Sequence, residues 1–341
     1  MSNEKKGFFA GKDRARKKSR PEGTLTRCMR SLEKLLVQYG HLDAQQAKVC
    51  AEKTKATRRK ELRRFVREVH SLGFPLLHLK GLKPKHVDAA MKKWEAEGKS
   101  ASTIQNRLTH IRTLCRWLGK DGMIMKAEHY LEDPSRGRRV YATKELKGCI
   151  QKGIDIIPKV EFVAKKEPMC AIQLLVMAAF GLRREEAMKL RPHLADKGTW
   201  LAVKWGTKGG RERPQPIDMP VQRHVLDIAK SCVNKKSHSL IPGGYTYDQW
   251  ESRFQYVVCD LAGLNRKNEC PPHTLRHSYA ANLYEAVAGH PPPVSGEPLP
   301  EGFDPEKDLL ARHEVAEHLG HSRRQAASAY IGAMADCIFE D

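Results

Sequence analysis

His273-Thr274-Leu275-Arg276-His277-Ser278, then Leu319-Gly320-His321, then Tyr330 nine residues beyond that histidine, form the stretch around which the chain is organised. Two further groups lie upstream: Gly181-Leu182-Arg183 and Thr207-Lys208-Gly209-Gly210. Together they supply two arginines, a lysine, two histidines and a tyrosine. A phosphodiester transition state gathers negative charge on its non-bridging oxygens. Guanidinium forks match that charge best, because they bind in bidentate fashion and stay protonated. His273 and Arg276 are three apart and share a face if the segment is helical. Histidine can relay a proton near neutral pH, a lysine on a turn can protonate a leaving oxygen, and a tyrosine hydroxyl can act as nucleophile. Such a set is what would break a phosphodiester with a protein hydroxyl and no metal.

Around this stretch the pattern is mainly helical. Met169 to Ala179 is an apolar run long enough for a buried helix, broken at Gly181 and resumed over Glu185 to Leu190. Thr199 to Trp205 reads as a strand, and a polar turn then leads to a short edge at Pro214 to Ile217. That is a β-hairpin with Lys208 at its tip. Val221 to Cys232, Tyr247 to Leu261 and His273 to Glu285 read as amphipathic helices, and Leu309 to Leu319 and Arg323 to Met334 as two closing helices. Between them Gly289 to Pro305 carries six prolines, and no Lys or Arg occurs from His277 to Glu306. The segment 286–306 is therefore expected as a mobile loop facing away from any polyanion.

The first part of the chain differs in charge. The whole chain of 341 residues has a net charge of +21. Residues 1–140 hold 34 Lys+Arg against 15 Asp+Glu, and residues 141–341 hold 27 against 25. An excess confined to one segment suits a surface for nucleic acid. Met1 to Glu22 reads as a basic tail, disordered when free, that could lie along phosphates. Leu32, Leu35 and Leu36 mark one helix. Leu62, Phe65, Val66, Val69 and Leu72 mark a second, stopped by Gly73 and crowded by Arg58, Arg59, Arg63 and Arg64. Val87 to Trp94 is a third. Ser102 to Leu118 is a fourth, with capping-box spacing at Ser102 and Gln105. Its buried stripe is Ile104, Leu108, Ile111, Cys115 and Leu118, with Arg107, Arg112 and Arg116 off it. Residues 121–143 read as a polar linker whose Arg136, Arg138 and Arg139 could follow a phosphate strand. The expected organisation is a tail (1–23), a helical DNA-binding domain (24–120), the linker (121–143) and a catalytic domain (144–341).

No run of about 18 apolar residues is present, which argues against a transmembrane helix, and Met1 to Gly23 lacks the apolar core of a signal peptide. A cytoplasmic protein is expected. The nine cysteines are scattered without a CxxC pair, and neither a disulfide framework nor a zinc site is expected.

Alone, each singled-out residue has an ordinary explanation as a surface pair, a core edge or a solvated turn. Their order and spacing resemble the tyrosine recombinase (phage integrase) family. Gly181-Leu182-Arg183-Arg184-Glu185-Glu186 resembles its first arginine box, with Glu186 as the acidic residue, and Thr207 to Arg213 resembles its lysine hairpin. His273 to Ser278 resembles its His-x-x-Arg box, and Leu319-Gly320-His321-Ser322 with Tyr330 its final box. The resemblance covers about residues 25–335. It implies a two-domain DNA clamp in which Tyr330 attacks the scissile phosphate, Arg183 and Arg276 hold it with help from His273 and His321, and Lys208 protonates the leaving oxygen. It also implies a tetramer on double-stranded DNA, serving a mobile element or replicon, with accessory DNA-bending proteins as possible partners. The segment after the tyrosine, ending in Ile338 and Phe339, would dock on a neighbouring subunit. The distance from Arg276 to His321 exceeds the usual one, and the proline-rich segment accounts for it. A type IB-like topoisomerase and a DNA-binding protein that no longer cuts remain as the alternatives.

Overall fold

The first turns are built by spaced apolar residues, as expected for helices that bury one face. The computed structural model describes residues 23–43 and 48–333, except for the side chain of Lys208. The basic tail Met1 to Glu22 and the Ile338–Phe339 end lie outside the described residues. The chain divides into two units between Arg139 and Val140.

In the first unit, helices α1 (Thr24–Tyr39), α2 (Glu52–Ser71), α3 (Pro84–Ala96) and α4 (Ala101–Trp117) enclose one core. Leu32, Leu62, Phe65, Met91, Trp94, Leu108 and Ile111 are almost wholly buried there. The cap of α4 is Ser100, whose hydroxyl accepts from the Thr103 N–H at 3.4 Å, and not Ser102. Residues 121–139 are not a free linker. Ile124, Ala127 and Leu131 enter the same core, and short 3₁₀ turns form at Ala127–His129 and Pro134–Gly137.

The second unit is helical around a two-stranded sheet. Its elements are α5 (Ile157–Lys166), α6 (Pro168–Phe180), α7 (Arg184–Lys189), α8 (Pro192–Ala195), β1 (Trp200–Val203), β2 (Arg213–Pro216), α9 (Pro220–Ser231), α10 (Tyr247–Phe254), α11 (Thr274–Ala288), α12 (Pro305–His318) and α13 (Ser328–Ile331). The fold is thus mainly α with one small hairpin. Strands β1 and β2 pair antiparallel, with Trp200 opposite Pro216 and Val203 opposite Arg213. Pro214 and Pro216 cannot donate to a ladder, which suits an edge strand. The helix read over Tyr247 to Leu261 is α10 followed by a π-helical stretch, Gln255–Leu261.

A main core gathers α6, α9, α10 and the start of α11 around Leu174, Phe180, Leu226, Trp250 and Phe254. A smaller cluster of Ala280, Tyr284, Val315, Leu319, Tyr330 and Ile331 lies between α11, α12 and α13. The closing helix read over Arg323 to Met334 is shorter than its pattern suggests. It is a 3₁₀ turn at Arg324–Ala327 and the single turn of α13. The proline-rich segment runs from Gly289 to Asp304 with one 3₁₀ turn at Pro293–Ser295. Within it the His290 ring packs 5.6 Å from those of both Tyr284 and Phe303.

Candidate active site

Helix α6 ends at Gly181, whose φ of 60° is the left-handed conformation that stops a helix. A Cβ there would lie 2.5 Å from the Tyr279 ring, and only glycine fits. The chain then turns to place Arg183 at the start of α7. Glu186 reaches back to the Arg183 N–H at 2.8 Å and to its guanidinium at 2.7 Å.

Glu186 is fully buried and three arginines face it. Arg183 is one. Arg213 is the second, its two terminal nitrogens donating to the two Glu186 oxygens at 3.0 and 2.9 Å. Arg276 is the third, at 3.8 Å. Burial raises the Glu186 carboxyl, but the Arg213 fork and then Arg183 outweigh it and hold the group at about 2. The same arginines share two carbonyls at the end of α12. Arg213 Nε donates to the His318 oxygen at 3.0 Å, and Arg183 donates to that of Leu319 at 3.2 Å. Arg276 donates to Leu319 as well, and to the Gly181 carbonyl at 2.5 Å. Three cations against one carboxylate leave the pocket positive. The Arg183 side chain keeps about a quarter of its surface open to solvent, toward which an anion can approach.

Tyr330 completes the group. Its hydroxyl accepts from Arg276 Nε at 3.2 Å, and the Arg276 guanidinium lies 5.5 Å from its ring centre. The His277, His321 and His273 rings lie 4.8, 5.7 and 6.2 Å from it. Burial lowers the Arg276 guanidinium to about 10, which still leaves it charged at neutral pH. His273 is exposed to solvent, yet the protein packed about part of its ring, then Arg276 and Arg183, lower it to about 4. His277 is buried and lowered to about 3, by burial first and then by His273, Lys147 and Arg276. Both rings are therefore neutral at pH 7.

Of the six site residues read from the sequence, five come together here: Arg183, His273, Arg276, His321 and Tyr330. The Lys208 backbone lies at the hairpin tip, in the 3₁₀ turn Lys208–Gly210. Its side chain is outside the described atoms. Sequence reading missed Arg213, His277 and Gln215. The signal for two of them was the strand alternation of β2, which turns Arg213 and Gln215 inward. Gln215 donates to the Tyr279 hydroxyl at 2.5 Å, and that hydroxyl sits 2.8 Å from His318 Nδ1.

Two of the residues assigned to DNA contact are corrected. Arg58 is buried, donates to the carbonyls of Gly40 and Leu42 at 3.0 and 2.6 Å, and stacks 5.6 Å from the Trp117 ring. Arg107 is buried over the Trp94 ring at 4.8 Å and pairs with Glu61 at 3.5 Å. Both face their own core because a long stem can reach inward carbonyls and rings. Arg59 and Arg138 are exposed. Arg63, Arg64, Arg116 and Arg136 form exposed or half-exposed ion pairs with Glu33, Glu61, Asp121 and Glu95. Arg112 donates to the Met125 carbonyl at 2.6 Å, and Arg139 to Asn106 at 2.7 Å.

The phage integrase N-terminal family model matches residues 28–124, and the integrase family model matches residues 152–282. Neither reaches His321 or Tyr330. A tyrosine recombinase XerC of Methylobacterium nodulans is 27% identical over 217 residues, covering 60% of this chain and 65% of that protein. The chain spans 65% and 66% of the length of two curated XerC relatives that it matches. A lambda integrase from a tetramer bound to a Holliday junction superposes with a TM-score of 0.54 at 16% identity, covering 90% of this chain and 80% of that one. The XerH site-specific recombinase bound to its difH substrate gives 0.53 at 16%, covering 91% and 93%. At these identities the structural likeness is one of fold.

Proposed function

We propose that this chain, which belongs to the tyrosine recombinase (phage integrase) family, cuts and rejoins double-stranded DNA at specific sites through a covalent link between DNA and Tyr330. The observation that carries the reading is the convergence of Arg183, Arg213 and Arg276 on the single carboxylate of Glu186, beside the Tyr330 hydroxyl. A pocket with more guanidinium than carboxylate charge is built for an anion that arrives with the substrate.

In this reading the scissile phosphate is held by Arg183, whose side chain is partly open to solvent, with the buried Arg276 guanidinium adding its charge beside it. The Tyr330 oxygen forms a bond to phosphorus as the bond to the 5′-oxygen breaks. A neutral His273 is able to accept the phenol proton, and His321 supports the phosphate. The leaving 5′-oxygen takes a proton, for which Lys208 at the hairpin tip is the proposed donor. The product is a 3′-phosphotyrosyl link and a free 5′-hydroxyl, and reversal on a different strand completes recombination. The other tyrosines near the site serve elsewhere, with Tyr279 bonded to Gln215 and Tyr284 to Asp308.

The proposed partners are duplex DNA and further copies of the chain, assembled as a tetramer, with accessory bending proteins where a site requires them. The exposed basic residues of the first unit, Arg59 and Arg138 among them, are the proposed phosphate contacts. A mobile element or replicon is the proposed context. The test is a nicked suicide substrate that traps the cut strand. The chain should become covalently attached to DNA, Tyr330→Phe should bind DNA and form no adduct, and sequencing the attached strand gives the site. Adducts that persist in Tyr330→Phe would move the nucleophile elsewhere. Relaxation of supercoiled DNA without strand exchange would favour a topoisomerase.

A further inference from the structure

The proline-rich segment is extra length between the two halves of the site, and its surroundings hold a charged group the reaction does not use. Asp308 and Tyr284 are fully buried and Arg312 is 6% exposed. The Tyr284 hydroxyl donates to Asp308. Arg312 Nε donates to Asp308 Oδ2 at 2.7 Å, and an Arg312 terminal nitrogen donates to the Gly332 carbonyl at 3.0 Å. The other terminal nitrogen is buried with no hydrogen-bond partner among the described residues.

Gly332 follows Tyr330 by two residues. Its φ of 85° and ψ of 166° belong to a region essentially restricted to glycine. A Cβ there would lie 3.0 Å from Val294, in the 3₁₀ turn of the proline-rich segment. The segment thus walls the exit of the tyrosine-bearing turn while Arg312 holds its carbonyl.

Helix α13 is a single turn, too short to fix its own position. Its packing in the small cluster and what holds its two ends together decide where Tyr330 sits. At the start, the Ser328 carbonyl accepts from the Thr143 N–H at 2.9 Å. At the end, Gly332 is held by Arg312. A buried ion pair is a poor source of stability, because desolvation cancels most of its attraction. Placing one here is accounted for by position.

We propose that Arg312 is a positioning residue for the nucleophile. Oriented by Asp308 and Tyr284, it fixes the Gly332 carbonyl and so keeps the Tyr330 hydroxyl in register with Arg276. The proline-rich segment 289–304 supplies the wall that keeps this pair dry. The inference rests on Tyr330 being the nucleophile.

The experiment compares the wild-type chain with the neutral pair Asp308→Asn/Arg312→Gln. That pair avoids an unpaired buried charge, and its shorter amide gives up the reach to Gly332. The expected result is a single-turnover rate of adduct formation lower by about 30-fold, the scale of a misplacement under 1 Å, with DNA affinity within about two-fold. Should the neutral pair fail to fold, Arg312→Lys keeps a charge beside Asp308 without the fork, and carries the same expectation. A variant that folds and forms adducts at the wild-type rate overturns the inference, and so does a rate loss matched by an equal loss of affinity. A wild-type chain that forms no adduct sinks the reading of Tyr330 itself.

Discussion

Both units bury arginines, and they use them differently. In the first unit each has a place of its own: Arg58 against two carbonyls and the Trp117 ring, Arg107 against the Trp94 ring and Glu61. In the second, Arg183, Arg213 and Arg276 share Glu186 and the His318 and Leu319 carbonyls. A dispersed arginine ties a helix to a loop or a ring. Arginines that share one acceptor set create a positive pocket that the protein alone does not neutralise. Burial by itself does not mark a reaction site; convergence beside a hydroxyl does.

The sharpest way to break this comparison is to substitute one arginine from each unit. Arg276→Lys keeps a charge but loses the fork that spans Gly181, Leu319 and Tyr330. Its adduct formation should fall by about 10³-fold, the scale of losing a preorganised donor to transition-state charge. Arg58→Gln should lower unfolding stability by about 2 kcal/mol, the scale of leaving buried carbonyls without a donor. Its cleavage rate per folded molecule should stay within about two-fold. Urea unfolding and single-turnover adduct assays on both proteins decide it. An equal loss of rate in Arg58→Gln would make the first unit's buried arginines part of the chemistry.

The same contrast shows what could be read from the sequence. Spaced apolar residues outlined the major helices, and the Gly-Leu-Arg, His-x-x-Arg and Leu-Gly-His boxes with Tyr330 named five residues that the fold brings together. The inward turn of Arg58 and Arg107 was not legible, because a charged residue in a basic run looks the same whether its stem lies along solvent or reaches a carbonyl. Arg213 was hidden by Pro214 and Pro216, which mask the alternation of β2. The packing of 121–139 was hidden by its polar composition, since the few apolar residues that anchor it, Ile124, Ala127 and Leu131, are widely spaced. The site depends on contacts between residues far apart in sequence, and local pattern carries little of that.

A second comparison, within the first unit, sets exposed against buried basic residues. Binding to duplex DNA should weaken with salt, because phosphate neutralisation releases counterions. Arg59→Ala with Arg138→Ala should flatten the dependence of log affinity on log salt by about two and weaken binding about ten-fold or more at moderate salt. Arg58→Gln, whose charge is turned into the core, should leave the slope unchanged. Affinity measured across a salt series reads both. An equal slope change in the Arg58 variant would return that residue to the DNA surface.

The smallest expected difference is in pH response, since each unit holds histidines lowered mainly by burial, His86 and His110 in the first and His277 in the second. A histidine lowered in the folded state takes up its proton more readily when unfolded. Its contribution to stability is complete above the ordinary value near 6.5 and is lost as pH falls toward the folded value, about 3 for His277. Glu186 adds a separate, more acidic window, with stability present above 4.5 and lost as pH falls toward about 2. Between pH 6.5 and 5, then, the histidines should act ahead of Glu186. His277→Gln should remove about 1.5 kcal/mol of the stability change across that interval, one proton's share by linkage. In the same range the cleavage rate of the wild-type chain should stay flat, because His273 is already neutral there. A wild-type rate that drops between pH 7 and 6 would place an essential neutral group with an ordinary value in the site. An unaltered pH slope in His277→Gln would show that its ring is not the neutral group that burial beside Lys147 and Arg276 requires.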